Sequence, residues 1–265
     1  MVADNPIGVF DSGVGGLSVL REIRRQLPAE DLVYVADSRY APYGDQSDET
    51  IEKRAIALTQ FLASASAKAI VVACNTATAI AIETLRSRFS VPIVGMEPAI
   101  KPATLETRSG VIGVLATRQT LASSKFSTLL VAYGAGIQVL LQPCPGWVEQ
   151  VEKGDLSSPA TTSLVEKYVG PLLSQGADTL VLGCTHYPFL TPVIRAIAGP
   201  AVTILDPAAA VARELQRRLR TIDLLSQRSQ DGTERLWTSG SLTAQSVDSL
   251  WKKTVDVQQL PSPFL

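Results

Sequence analysis

Short apolar runs, each closing on a small or polar residue, alternate along the chain with longer stretches of helical period. Ile7–Phe10, Leu32–Ala36, Ala69–Cys74 and Pro92–Met96 are rich in Val, Ile and Ala and lack a polar alternation, the pattern of parallel strands buried on both faces. Leu17–Leu27 and Thr50–Ser64 between them read as helices. Strand and helix in strict alternation predict an α/β fold built on parallel sheet.

The second half repeats the order of the first. Gly8–Asp11 has a counterpart in Gly113–Ala116 and Val33–Ala36 in Gln138–Leu141, both offset by 105 residues. Val71–Thr76 is echoed by Val181–His186 at an offset of 110, and Met96–Ala99 by Leu205–Ala208 at 109. Ordered matches at nearly one offset predict two pseudo-symmetric, flavodoxin-like parallel-sheet lobes with a cleft between them. Beyond Pro207 the pattern gives a helix (Ala208–Leu219), a polar stretch (Ser226–Glu234), a strand (Arg235–Thr238), a helix (Leu242–Lys253) and a loose tail. These pieces bury too little surface to stand alone. They are expected to complete the first lobe, so that residues 1–97 with 208–265 form one lobe and 98–207 the other.

Composition narrows the function classes. Apolar residues make up 46% of the 265 and charged residues 18%, which excludes a mainly disordered chain. The formal charge of −1 comes without a dense basic block, so neither nucleic acid nor an anionic membrane is an expected partner. The N-terminus carries no basic stretch followed by an apolar core, and the apolar runs are too short to span a bilayer. Three cysteines make an odd set for a disulfide framework; reduced thiols and a cytoplasmic location are expected.

In open parallel sheets, ligands bind at the carboxyl ends of strands, where helix N-termini aim their N–H groups. The polar outliers of this chain fall at those ends: Asp11 and Ser12, Cys74-Asn75-Thr76, Thr117, and Cys184-Thr185-His186. The repeat puts Cys74 and Cys184 at equivalent strand ends, facing one another if the lobes do. Inverting a stereocentre by proton transfer needs a base on one face of a carbon and an acid on the other. A thiol's ordinary pKa of about 8.5 is expected to fall toward neutrality at a helix N-terminus, so a thiolate/thiol pair suits that task. The other reading is two small buried hydrophobes, the commoner fate of cysteine. His186, the chain's one histidine, stands two residues beyond Cys184, where it can hold a proton near the sulfur. Zinc held by Cys74, Cys184, His186 and Asp11 uses the right ligand types, but the local CxxC or HxxxH spacing of most zinc sites is absent.

Asp11–Gly16 forms a strand, glycine turn and helix entry without the spacing of a nucleotide loop. It reads as a turn whose backbone N–H groups approach a small carboxylate. Pro42-Tyr43-Gly44 is a loop in which glycine frees backbone N–H groups and Tyr43 shields the cleft; it is equally an ordinary turn. No lysine stands in a Schiff-base context and no flavin or nicotinamide fingerprint occurs, so no cofactor is expected.

The runs Phe10–Leu17, Pro42–Gly44, Cys74–Thr78 and Gly183–Pro188, with Glu97-Pro98 and Asp206-Pro207, resemble in order and spacing the signatures of the glutamate racemases, in the aspartate/glutamate racemase superfamily. The resemblance runs from about Ile7 to Lys253. It implies a cofactor-independent isomerase that interconverts L- and D-glutamate for peptidoglycan synthesis, and a homodimer. By the same resemblance, Cys74 takes the proton of D-glutamate and Cys184 that of L-glutamate, with Asp11 assisting near Cys74 and His186 near Cys184. Ser12, Tyr43, Gly44, Asn75, Thr76 and Thr185 would hold the substrate, with Thr117 and Thr120 as secondary contacts. Glu152 falls where the family carries a glutamate that helps catalysis. The stretch Cys144–Glu149 departs from the family's more apolar pattern, and Cys144 reads as structural. The competing readings are a sibling enzyme acting on aspartate, a hydantoin or another carbon acid, and a two-lobed ligand sensor, which would not need both cysteines.

Overall fold

The computed structural model describes residues 2–242, 244–251 and 255–265. Strands β1 (Ile7–Asp11), β2 (Leu32–Ala36), β3 (Ala69–Val72) and β4 (Ile93–Val94) alternate with helices α1 (Leu17–Gln26), α2 (Asp48–Ser64) and α3 (Asn75–Arg88). Helix α4 (Ile100–Glu106) leads into the repeat, β5 (Val111–Ala116), α5 (Arg118–Ala122), α6 (Ser124–Tyr133), β6 (Gln138–Pro143), α7 (Trp147–Glu152), α8 (Pro159–Ser174), β7 (Thr179–Gly183), α9 (Thr191–Ala198) and β8 (Thr203–Leu205). The chain closes with α10 (Ala208–Thr221), β9 (Glu234–Thr238), α11 (Ala244–Trp251) and β10 (Val257–Gln259).

The strands form two sheets, both parallel throughout. The order is β10-β9-β2-β1-β3-β4 in one and β6-β5-β7-β8 in the other. Set β5–β8 beside β1–β4 and the two orders coincide, which is the topology the sequence repeat predicts. In each sheet the order reverses at the first strand of the repeat. The crevice at that switch point is therefore flanked by the ends of β1 and β3, and by those of β5 and β7.

Burial on both faces explains the unbroken apolar strands. One face of the first sheet presents Ile7, Val9, Tyr34 and Val71 to α1 and α10 through Leu20, Ile23, Leu215 and Leu219. The other presents Phe10, Val33, Val35, Ile70 and Val72 to α2 and α3 through Leu58, Leu62, Ile82 and Leu85. Side chains like these contribute about 1.5–3 kcal/mol each on burial. The second sheet is covered on one face by α8 and α9, through Val165, Val169, Leu172 and Ile194, and on the other by α4 and α6, through Ile100, Ala103 and Phe126.

Element ends differ from the sequence reading for local reasons. β3 stops before Cys74 because Cys74 caps α3, its sulfur accepting from the Ala77 N–H at 3.4 Å. α2 begins at Asp48 because the Ser47 hydroxyl accepts from the Thr50 N–H at 3.2 Å. β4 spans only Ile93–Val94, since Pro92 has no N–H to give the ladder. The helix read at Leu242–Lys253 is seen as Ala244–Trp251; Thr243 and residues 252–254 lie outside the described residues. The tail is not loose, contrary to the sequence reading. β10 pairs in parallel with β9, Leu260 is buried, and a short helical turn runs over Ser262–Phe264. Its apolar positions are too few to show a period. Among the described residues, no helix is long and apolar enough to cross a membrane.

Candidate active site

Asp11 ends β1 and is fully buried. One carboxylate oxygen accepts from the Gly16 N–H at 2.6 Å and the Thr185 hydroxyl at 3.2 Å, and the Ser12 hydroxyl donates to the other at 3.4 Å. Burial pushes its pKa up, while His186 and the N–H groups of Ser12 and Gly16 hold it back. The turn that follows carries its glycines for space. A Cβ on Gly13 would lie 1.9 Å from Glu152 Oε1, and one on Gly15 would lie 2.3 Å from His186 Nδ1. The Val14 N–H donates to Glu152 Oε1 at 2.8 Å, and the Tyr34 hydroxyl to the Gly13 carbonyl at 2.5 Å. The N–H groups of Val14 and Gly16 in this turn reach carboxylates of the protein itself, Glu152 and Asp11.

Cys74 is buried at the N-cap of α3, its thiol 4.0 Å from the Ser12 hydroxyl. Burial pushes this thiol well up, and the Asp11 charge raises it further, followed by Cys184. The sequence expectation that a helix N-terminus brings the thiol toward neutrality fails for Cys74. The Ala77 N–H and the Ser12 hydroxyl pull downward, yet desolvation and a neighbouring carboxylate outweigh them. Next to it, the buried Asn75 side chain has neither its oxygen nor its nitrogen paired, which leaves a donor and an acceptor for a bound molecule. The Thr76 hydroxyl pairs with those of Thr117 at 3.0 Å and Thr120 at 3.1 Å, linking the first helix turns after β3 and β5.

Cys184 follows β7 and is also buried. His186 lies with Nδ1 3.7 Å from its sulfur and Nε2 2.6 Å from Glu152 Oε1. Burial of the imidazole works against its charge, but Cys184 and Glu152 more than offset that and raise its pKa well above the ordinary value. A protonated His186 thus donates to both. Glu152 is delivered by α7, which starts after Gly146 in a left-handed conformation (φ 90°) and buries Trp147, Val148 and Val151. The Trp147 and Tyr187 rings meet edge to face at 4.7 Å, fixing α7 against the segment that carries His186. The divergent stretch therefore builds the platform under Glu152. Cys144, buried there, donates to the Gln142 carbonyl at 3.4 Å.

The structure brings Asp11, Ser12 and Cys74 from the first sheet together with Glu152, Cys184, Thr185 and His186 from the second, while Asn75 follows Cys74 unpaired and Thr76 reaches Thr117 and Thr120. Gly44 presses on Thr117, where a Cβ would lie 2.9 Å from the threonine Cβ. Buried Tyr43 donates to Asp37 at 2.5 Å. Sequence reasoning missed Asp37 and its partner Arg54. Two signals were there: Asp37 follows β2 as Asp11 ends β1, and Arg54 interrupts the apolar face Ile51, Ala55, Leu58 of α2. A cavity of about 450 Å3, lined by Arg39, Pro42, Val148, Glu152 and Lys153 among others, opens beside Glu152. Among the described residues, no group of three or more His, Cys, Asp or Glu is arranged to hold a metal ion.

Comparison with known proteins gives the family and the fold. Residues 7–215 match the Asp/Glu/Hydantoin racemase family. The chain is 55% identical over 263 residues to a glutamate racemase of Methylococcus capsulatus, covering 98% of this chain and 97% of the relative. Glutamate racemase of Francisella tularensis, solved in complex with D-glutamate, superposes with a TM-score of 0.86 at 28% identity, covering 99% of each chain. Glutamate racemase isoform RacE1 of Bacillus anthracis does so at 0.86 and 34% identity, covering 98% of each. The chain therefore belongs to the glutamate racemases of the Asp/Glu/Hydantoin racemase family.

Proposed function

We propose that this isomerase interconverts L- and D-glutamate by proton transfer between two thiols, Cys74 and Cys184. The observation that carries the reading is the pairing of each buried cysteine with its own proton partners at equivalent strand ends: Ser12 and Asp11 beside Cys74, His186 and Glu152 beside Cys184. Without substrate the two sides differ. Burial and Asp11 keep Cys74 a thiol, while the His186 cation has its Nδ1 3.7 Å from the Cys184 sulfur. With L-glutamate, Cys184 is the base and Cys74 the acid. The Cα–H bond breaks toward the Cys184 sulfur, and Cys74 delivers its proton to the opposite face. The reverse reaction starts with both sulfurs in the other state, and the substrate ammonium beside Asp11 supplies the positive charge that offsets Cys74 ionisation.

Between the two transfers the carbon carries negative charge delocalised into its carboxylate. Asn75, Thr76 and Thr185, with the backbone of Ser12, are the donors assigned to hold it, while Tyr43 and Gly44 hold the substrate itself and close the site to water. We take residues 1–97 with 208–265 and 98–207 as the bodies that close over the substrate. D-glutamate made this way supplies peptidoglycan synthesis in the cytoplasm, where the three thiols stay reduced. A homodimer is the assembly carried over from the family, and sedimentation velocity tests it.

The test is circular dichroism of L-glutamate and L-aspartate incubated with chelator-treated protein. The reading expects decay of the glutamate signal alone, and a loss of about 10²–10⁴-fold in Cys74→Ala and in Cys184→Ala. Turnover of aspartate in preference to glutamate overturns the substrate, and activity retained by either variant overturns the mechanism.

A further inference from the structure

The group beneath the Tyr43-Gly44 loop reaches the far end of the chain. Asp37, fully buried, accepts from Arg54 Nε at 2.9 Å, Arg54 Nη2 at 2.8 Å and the Tyr43 hydroxyl at 2.5 Å. Its own N–H donates to the Asp11 carbonyl at 2.9 Å, so the cluster abuts the catalytic strand end. Arg54 lies 4.3 Å from the Tyr40 ring centre, and its Nη2 also donates to the Phe264 carbonyl at 2.8 Å. The tail is anchored independently of that bond. Leu260 is buried with its N–H on the Thr238 carbonyl at 2.8 Å, and the Phe264 ring meets Phe61 at 5.4 Å.

A buried carboxylate and guanidinium hold one geometry only while their remaining donors and acceptors are satisfied. Here the second N–H of Arg54 Nη2 is satisfied by the tail. We propose that residues 262–265 are a latch on the substrate loop: the Phe264 carbonyl fixes Arg54, Arg54 fixes Asp37, and Asp37 fixes Tyr43 and Gly44. Arg54 and Phe264 are thus positioning residues for substrate binding. This inference rests on the proposed role of Tyr43 and Gly44 as substrate contacts. A purely structural tail would add stability and leave the affinity of folded enzyme alone.

The experiment compares the full chain with a chain ending at Pro261, which keeps β10 and Leu260, each with Tyr43 and with Tyr43→Phe. Because the loop grips substrate and transition state alike, truncation should raise KM for both enantiomers by about 3- to 10-fold, the net worth of one hydrogen bond, with kcat within about 2-fold. In the Tyr43→Phe background the same truncation should change KM little, since both changes act through one contact. A lower kcat at unchanged KM, an unmoved KM, or an equal rise in both backgrounds overturns the latch. Full-length protein inactive on glutamate overturns the glutamate reading and the latch with it.

Discussion

Gly15→Ala should cripple the enzyme while leaving it folded. The added Cβ would stand 2.3 Å from His186 Nδ1, 2.6 Å from Cε1 and 2.7 Å from Cγ. Ordinary contact is at least ~3.4 Å, so ring and turn must part by roughly 1 Å. The ring has little freedom, being fully buried with Nε2 held 2.6 Å from Glu152. Overpacking of this kind costs about 1–3 kcal/mol of stability, whereas a displacement of about 1 Å at a proton-transfer partner costs on the order of 100-fold in rate. Gly15 has no positive φ, so the effect comes from space and not from backbone strain. Gly13→Ala is the control. Its Cβ would lie 1.9 Å from Glu152 Oε1, so the displacement falls on the end of a side chain with several torsions to absorb it, on the partner of His186 and not on the ring, and its loss should be smaller. The assay is circular dichroism at 25 °C from each enantiomer, with a thermal melt alongside. Since the enantiomers are equally stable in water, kcat/KM must fall by one factor in both directions. Gly15→Ala with wild-type kcat/KM, or a weaker effect than Gly13→Ala, would refute the argument that His186 must sit where it does.

Two further outcomes follow from the charges. Burial raises Cys74 despite its helix cap, and Cys184 with Glu152 raises His186 against the effect of its burial. Thiol and imidazolium therefore persist through neutral pH and are lost as pH rises through those elevated values. Profiles of kcat/KM should be flat near neutrality with an alkaline limb, and Glu152→Gln should move that limb to lower pH; an unmoved limb counts against the His186–Glu152 pair. Asp178 is held at about 2: desolvation opposes ionisation, but the Thr107 hydroxyl and the N–H groups of Arg108 and Ser109 outweigh it. Its folded value lies below the unfolded ~3.9, so its contribution is present above that value and lost as pH falls through about 2. The melting-temperature gap between wild type and Asp178→Asn should close on acidification; a widening gap contradicts the assignment.

The fold was legible wherever packing is two-sided. Strands such as Leu32–Ala36, buried on both faces, write an unbroken apolar run, and the duplicated topology follows from the order of those runs. The cysteine pair was legible because polar residues at strand ends are conspicuous. Three things were not. The Cys74 thiol runs opposite to its helix-cap expectation because burial and Asp11 depend on tertiary surroundings. Asp37 after β2 and Arg54 in the apolar face of α2 each stand out singly, but nothing in the sequence pairs them until the fold joins residues 17 apart with a tail carbonyl 210 residues further on. The glycine turn suggested a ligand nest, and only the second lobe's Glu152 and His186 reveal what the missing Cβ atoms make room for.

The most direct test of two thiols on opposite faces of one carbon is the early fate of deuterium. Wild-type protein is given L-glutamate in D2O, stopped at low conversion, and the enantiomers are separated for mass analysis. The account predicts deuterium at Cα of the D-glutamate formed, with the remaining L-glutamate still protiated, because the acid on the second face carries a solvent hydron. Deuterium entering both enantiomers at equal rates would mean one base working on both faces, and would contradict it.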